Sequence, residues 1–398
     1  MRILIVCMHY RPEPFVISDI AEYLAGKGHY VQVVTSKPHY GYDRIPEEYI
    51  HVDDEVINGV RVHRCDLAPR GDSTASIIKN YLTFYRNANS YLRRMKEDFD
   101  VVYSMSLSPI ISVSGANLYA KKHHVRHVLH CLDLWPESVL ITGAMSKANP
   151  LYGLLYLWSK SIYSKADEIL VSSPSFISYF RDVLKMGKAN IKHLMQPPLL
   201  SAQIGEDVQY SRPTFVYAGN IGKLQMIDVV ARAFKRVLEN GKDAGLVLIG
   251  NGSEIGRIRQ LIAELSLDGN VELLGMKPRG VTKAYYRNAT AIVVPLKRGG
   301  YVGDTIPSKL VSCLDEGRPI LAVLGGDGEK LLRESGGAIF SSGERESDIA
   351  EAMEKMLSLS EQERERLGDN NLRYYQQKCR QDQICSQIER ELIEAAKG

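Results

Sequence analysis

A chain of 398 residues is too long for one ordinary hydrophobic core, so two domains are expected. Hydrophobic residues make up 44% and charged residues 24%, the balance of a soluble globular protein, and a net charge of only +3 argues against the concentrated basic face that general nucleic-acid binding needs. The six cysteines, Cys7, Cys65, Cys131, Cys313, Cys379 and Cys385, are scattered without a CxxC pair. They read as reduced thiols, not as zinc ligands or a disulfide framework.

The opening "MRILIVCMHY" has a short apolar run and no small-residue cleavage site, so it reads as a buried strand instead of a signal peptide. No window approaches the roughly 20 apolar residues a membrane-spanning helix needs, and the chain is expected in the cytoplasm. "ISDIAEYLAGKGH" predicts a helix ending at Gly28, and "YVQVVTS" the next strand. "EVINGVRVHRC" predicts a hairpin around Asn58-Gly59, where the turn needs positive φ. Residues 73 to 98 have apolar positions at 78, 81, 85, 88, 92 and 95, the pattern of an amphipathic helix, with Lys79, Arg86 and Arg93 on one row. A domain helix with a basic edge and an interfacial membrane helix both fit it. "DVVYSMS", "RHVLHCL" and "EILVSS" are further buried strands. Strands alternating with helices imply a parallel sheet with right-handed crossovers.

A proline-bearing linker, 199–213, follows the first domain, 1–198. A second alternating series, 214–368, begins with "TFVYAGN", "DVVARAFKRVLENG" and "GLVLIGN" and runs on to "AIVVPL" and "PILAVLG". The segment 369–398 predicts charged helix. The expected fold is α/β, two doubly wound Rossmann-like domains facing a central cleft, with ligands at the carboxyl ends of the strands.

Several segments carry chemistry. "YAGNIGK" ends a strand with Gly219, Asn220, Gly222 and Lys223 before a helix, an arrangement that suits an anion and equally an ordinary βα turn with a surface lysine. "IGNGSE" places Gly250, Asn251 and Gly252 at another strand end, but no third glycine completes the dinucleotide fingerprint, which disfavours a hydride-transfer cofactor. The loop "GGYVGDTIPSKL" leads through Asp304, Thr305, Ile306, Pro307, Ser308 and Lys309 into an apolar helix, again suited to a phosphate. "LHCLDLWPES" sets Asp133 and Glu137 beside a tryptophan, well placed for a hydroxyl-rich ligand or, alternatively, for capping and core roles. Asp98-Phe99-Asp100 matches a metal-binding DxD but precedes its strand, so no metal is expected there or elsewhere.

Together these segments resemble glycosyltransferase family 4, retaining enzymes of the GT-B fold, over nearly the whole chain. "LDLWPES", "SKADEILVSS", "YAGNIGK", "LVLIGNGSE", "VELLGMKP", "TIPSKL" and "EGRPILAV" follow in the family's order. The forms "LDLWPES" and "PSK" are similar to a subgroup that includes N-acetyl-fucosamine transferases of surface-polysaccharide synthesis. The resemblance implies a nucleotide diphosphate sugar donor, a polyprenyl-diphosphate-linked glycan acceptor, no metal or other cofactor, and a C-terminal helix packed back on the first domain. It implies that Lys223 holds the donor diphosphate, with Gln225 at the usual second lysine position. Asp304 would sit by the donor sugar, the amides of Thr305 and Ile306 would face the diphosphate, and Lys309 would add charge. Met276 and Lys277 would contact the base, while Asp133, Glu13, Pro14, Ser18 and Glu137 would face the acceptor. The acid that usually holds the ribose is replaced by Ser312. Either Glu316, one turn on, fills in, or the donor carries a deoxyribose; the subgroup resemblance favours a uridine diphosphate sugar and Glu316. The rival readings are a GT-B nucleotide-sugar 2-epimerase and an inactive nucleotide-sugar-binding protein.

Overall fold

The architecture is that of a computed structural model, which describes all residues except Asp43, Asp72, 142–144, 200–204, 206 and 207. Within the expected linker 199–213, residues 200–204, 206 and 207 lie outside the described residues. The chain divides into two compact units, Met1–Leu199 joined by Gln381–Gly398, and Leu200–Arg380.

The first unit is built on strands β1 (Arg2–Val6), β2 (Tyr30–Ser36), β3 (Asp54–Ile57), β4 (Val60–Cys65), β5 (Val101–Ser106), β6 (Arg126–Cys131), β7 (Glu168–Val171) and β8 (Ile191–His193). Their order is β3-β4-β2-β1-β5-β6-β7-β8. Neighbours are parallel except β3 and β4, which pair antiparallel through Asn58 and Gly59, with φ of 49° and 82°. The Val- and Ile-rich runs are buried because helices cover both faces. One face packs under the helix Val16–Gly26, with Ile17, Ile20 and Leu24, and under the C-terminal helix Gln381–Lys397. That helix buries Ile384, Cys385, Ile388 and Leu392, one stripe at helical spacing. The other face packs under Thr74–Arg94 and Ser114–His123, through Phe84, Leu92, Ala116 and Tyr119.

The second unit holds β9 (Thr214–Ala218), β10 (Gly245–Ile249), β11 (Val271–Gly275), β12 (Ala291–Pro295), β13 (Ile320–Val323) and β14 (Ala338–Phe340), in the order β11-β10-β9-β12-β13-β14 with every pair parallel. Ile227, Val230, Phe234 and Val237 of the helix Ile227–Glu239 form the apolar stripe that covers it, joined by Ile349, Met353 and Met356 of Glu346–Ser358. Strand order reverses between β9 and β12 here and between β1 and β5 in the first unit. The crevices at those reversals are where each sheet can take a ligand.

Two details differ from expectation. The segment 369–398 is not one piece: Glu361–Tyr374 runs into a wide turn at Tyr375–Cys379, and the chain joins the first unit from Gln381 onward. In Thr74–Arg94 the buried face runs through Asn80, Phe84, Ala88 and Leu92. Ile78, expected on the buried stripe, is 51% exposed and Leu82 is 43% exposed. The helix therefore shows apolar side chains to solvent in its first half, while Lys79, Arg86 and Arg93 are exposed as expected.

Candidate active site

In the second unit the loops after β9 and β10 brace each other. Gly219 N donates to Ile249 O (2.9 Å), and Ile221 N donates to Asn251 O (2.8 Å). A Cβ on Gly250 would lie 1.8 Å from Gly219 O, and φ there is 142°. Gly250 is thus required by the approach of the two loops to each other, whereas its strand-end position alone suggested an approach to ligand. Gln225 Oε1 accepts from Gly222 N and from Asn220 Nδ2, both at 3.2 Å, so the residue standing at the usual second lysine position ties down the loop itself. Lys223 projects into solvent from this loop, with Asn220 and Asn251 exposed beside it in sequence and in the neighbouring loop.

The loop carrying Asp304 is fixed from the β13 side. Asp327 N donates to Asp304 O (2.8 Å), and a Cβ on Gly326 would lie 2.4 Å from the Asp304 Cα. Thr305 and Pro307 are half-buried, Ile306 is buried and Ser308 is exposed. Lys309, on the first turn of the helix Ser308–Leu314, directs its ammonium back to the end of β9. Its Nζ lies 3.9 Å from the centroid of the Tyr217 ring, and a Cβ on Gly219 would be 3.3 Å from it. The side chain as a whole is half-buried, but Nζ itself is sealed and has no hydrogen-bond partner among the described residues. Burial lowers its pKa to about 7.

Ser312 is not left alone where an acid would stand. Arg279 Nη2, at the start of the helix Arg279–Arg287 that follows β11, donates to Ser312 Oγ at 2.9 Å. Glu316 pairs with Lys283 of the same helix at 3.4 Å, and Lys283 also reaches Asp315 at 3.1 Å. Burial raises the Glu316 carboxyl above the usual range, and the Lys283 charge opposes the rise. Met276, 71% exposed, and Lys277 lie in the loop before Arg279.

In the first unit, several residues expected to face an acceptor point inward. Glu13 is 3% exposed. One of its oxygens accepts from the amides of His39 (2.7 Å) and Tyr40 (2.5 Å), and the other meets His9 Nδ1 at 2.8 Å. Ser18 Oγ is buried and accepts from Arg11 N at 3.1 Å. Glu137 is buried, accepts from the Tyr152 hydroxyl at 2.7 Å and lies 3.7 Å from Lys147. Pro14 is exposed. Glu13 was a candidate through the family resemblance and Glu137 through the segment that follows a strand; in the fold both carboxylates find local donors and knit loops. Asp133 follows the end of β6, where burial raises its carboxyl and a hydrogen bond from the Ser108 backbone opposes the rise. Ser108, with Cys7, Met8, His9, Phe15 and Met105, lines a narrow crevice at the β1–β5 reversal.

Among the described residues, His9, Glu13 and His39 form the one group with the donor types and closeness for a metal ion, their ligand atoms lying within 4.8 Å of one another. Their polar atoms are largely committed to protein: Glu13 as above, and His39 Nδ1 to Ser36 Oγ (3.1 Å) and Lys37 O (3.2 Å). Asp98 and Asp100 lie elsewhere. Asp98 meets His123 Nδ1 at 2.9 Å, and Asp100 accepts from Arg2 N at 2.7 Å. Neither His9 nor Arg279 stood out in the sequence. The spacing of His9 and Glu13, four residues apart in a proline-bearing loop, is the only signal of the first; Arg279 has none.

Two Rossmann-like units, each built on a mainly parallel sheet, are the elements of the GT-B class of sugar-handling proteins. The family described as "Glycosyl transferase 4-like domain" matches residues 15–192, and "Glycosyl transferases group 1" matches 206–373. The chain belongs to the GT-B glycosyltransferases and is a transferase enzyme. It is 25% identical over 346 residues, 80% of its length and 82% of the relative's, to a putative colanic acid biosynthesis glycosyl transferase, WcaI, of Escherichia coli. Sucrose-phosphate synthase of Thermosynechococcus elongatus superposes with a TM-score of 0.73 at 16% identity, covering 99% of each chain. Anabaena HepE, solved with UDP and glucose, superposes at 0.68 and 11% identity, covering 99% of this chain and 100% of that one. Among the described residues no helix is long and apolar enough to cross a membrane.

Proposed function

We propose that the chain moves a sugar, with retention, from a uridine diphosphate sugar to a growing polyprenyl-diphosphate-linked glycan in surface-polysaccharide synthesis. The observation that carries the reading is the sealed Lys309 ammonium at the end of β9, without a hydrogen-bond partner among the described residues. A buried cation without a hydrogen-bond acceptor is costly. It is the arrangement expected where an anionic ligand completes the site. A nucleotide diphosphate leaves with negative charge growing on its oxygens, and Lys309, Lys223 and the backbone amides of Thr305 and Ile306 are the groups to stabilise it. Asp304 would sit by the donor sugar, and Met276 and Lys277 by the base. The UDP in the HepE structure and the polysaccharide named for the Escherichia coli relative support the donor and the pathway class.

The acceptor reading draws support from an apolar surface on the first unit. The helix Pro150–Tyr163 exposes Leu151, Leu154 and Leu157 at 56%, 63% and 62%. Its Trp158 packs edge-on against Tyr85 of Thr74–Arg94, so these leucines adjoin the helix that bears Ile78, Leu82, Lys79, Arg86 and Arg93. Leucines beside exposed basic residues suit an anionic lipid surface, where such an acceptor resides.

The test incubates the purified protein with a panel of UDP-, dTDP- and GDP-sugars, with and without a short-chain polyprenyl-diphosphate-linked N-acetylglucosamine. Acceptor-dependent release of UDP and a lengthened lipid product are expected. Epimerised donor without acceptor, or no product at all, would contradict the proposal.

A further inference from the structure

Residues 37–53 join β2 to β3, with Glu47–Tyr49 as their one helical turn among the described residues. Because β3 runs antiparallel to β4, this loop both begins and ends at the carboxyl edge of the first unit's sheet. Connections of that length with so little structure of their own are commonly binding loops. The loop is pinned by buried charges. Lys37 Nζ donates to Ile50 O at 2.6 Å and pairs with Asp66 at 2.7 Å and Asp53 at 3.1 Å. The buried Arg64 guanidinium donates to Arg11 O and Ser36 O and lies 4.8 Å from the centroid of the Tyr49 ring. Glu13 accepts from the amides of His39 and Tyr40. So fixed, the loop still shows two aromatic side chains to solvent, Tyr40 at 49% and Tyr42 at 41%, on either side of Gly41, which turns the chain at φ 81°.

The setting of Tyr40 leaves one ring face open. His9 and Phe15 stack face to face, with centroids 4.4 Å apart and planes at 15°. Tyr40 stands nearly perpendicular to both, 5.6 Å from His9 and 5.2 Å from Phe15. Rings this close at such angles meet edge to face. A ring about equally near both members of a stack lies across their edges with one face, and the other face is the part that solvent reaches. The same stack lines the crevice at the β1–β5 reversal, which Ser108 and Ser112 also line. We propose that Tyr40 is the stacking platform for one pyranose ring of the acceptor glycan, with Tyr42 flanking it. The inference rests on the acceptor reading above and adds to it the residue and the ring chemistry. A pyranose with equatorial substituents carries only C–H bonds on its ring faces. Such a face sheds water against an aromatic face, while the hydroxyls around the ring keep their hydrogen bonds. A tyrosine already held in place loses little side-chain freedom when the sugar arrives.

The experiment has two arms on the full chain. Saturation-transfer NMR, without donor, uses the methyl β-glycosides of glucose, N-acetylglucosamine, galactose and mannose. The wild type should saturate at least one of them most strongly at the protons of one ring face, as H1, H3 and H5 are in a β-glucoside. The effect should survive in Tyr40→Trp and vanish in Tyr40→Ala. Saturation of none of them, or equal saturation by Tyr40→Ala, would overturn the proposal whether or not transfer is detected. The second arm follows transfer from the preferred UDP-sugar to the polyprenyl-diphosphate-linked N-acetylglucosamine. Tyr40→Ala should raise the acceptor KM by about tenfold with kcat little changed, whereas Tyr40→Trp should stay near wild type. UDP affinity equal to that of the wild type checks folding. An acceptor KM within about twofold of wild type in Tyr40→Ala would overturn the proposal. Sedimentation with anionic vesicles lost by that variant at unchanged KM would overturn it too, by giving the ring to the lipid surface. Absence of transfer in the wild type would instead count against the transferase reading, and the NMR arm would decide on Tyr40.

Discussion

Lys309 holds its ammonium 3.9 Å from the centroid of the Tyr217 ring, with no hydrogen-bond acceptor among the described residues. The ring face offers the cation some attraction, on the order of 1 to 2 kcal/mol when desolvated, but not the acceptors it would have in water. Lysine is chosen here from residues that would fill the space at less cost, which is why the position speaks for a ligand.

Lys223 differs in being exposed. Nothing in the fold depends on it, so Lys223→Ala should leave the melting temperature unchanged. If it neutralises the leaving diphosphate, turnover should fall on the order of 100-fold. A mutant turning over within about threefold of wild type would remove Lys223 from the site.

The ribose contact gives a second prediction. Ser312 is held by Arg279, and Glu316 is already paired with Lys283. For Glu316 to accept from a ribose it must share its oxygens with Lys283 of the neighbouring helix Arg279–Arg287. Calorimetry should find that Glu316→Ala weakens UDP several-fold and leaves dTDP nearly unaffected. Tighter binding of dTDP than of UDP by the wild type, with Glu316→Ala changing neither, would assign the donor to a deoxyribonucleotide.

A third concerns the surface of the first unit. Replacing Lys79, Arg86 and Arg93 by Glu should reduce sedimentation with anionic vesicles, each near-surface cation contributing about 1 kcal/mol. Leu154→Ser with Leu157→Ser should reduce it further while leaving binding of soluble UDP intact. Unchanged sedimentation in both variants would reject this surface.

Metal dependence is a fourth. The diphosphate reading relies on Lys309, Lys223 and backbone amides, so turnover should survive EDTA. Activity lost to EDTA and restored by Mg²⁺ or Mn²⁺ would show that the diphosphate is held elsewhere.

The sheets were legible in the sequence because each buried parallel strand is a run of Val, Ile and Leu bounded by turn residues, and the Asn58-Gly59 hairpin because its turn chemistry is local. The edge strands β8 and β14 were not, since three residues carry no periodicity. The break at Tyr375–Cys379 escaped because charged helix on either side reads as continuous. Candidate residues on backbone loops, such as Gly219 and Asp304, were visible through glycine and strand-end position. What Glu13, Ser18 and Glu137 do was not, because their partners His9, Arg11 and Tyr152 are brought to them by loop geometry. Lys309 stood in the sequence as one charge among several, and only the fold places its Nζ over Tyr217.

The central claim is that this ammonium awaits a diphosphate, and binding-linked protonation tests it most directly. In the free protein Lys309 has a pKa of about 7, lowered by burial from the ordinary 10.5. At pH 8 it is therefore mostly neutral, and a bound diphosphate, favouring the charged form, should draw about 0.9 of a proton from solution. UDP titrated calorimetrically at pH 8 in HEPES and in Tris, buffers of different ionisation enthalpy, should show this uptake in the wild type. Lys309→Met should show none and bind UDP at least tenfold more weakly. Equal heats in both buffers for the wild type, with the affinity of Lys309→Met unchanged, would contradict the account.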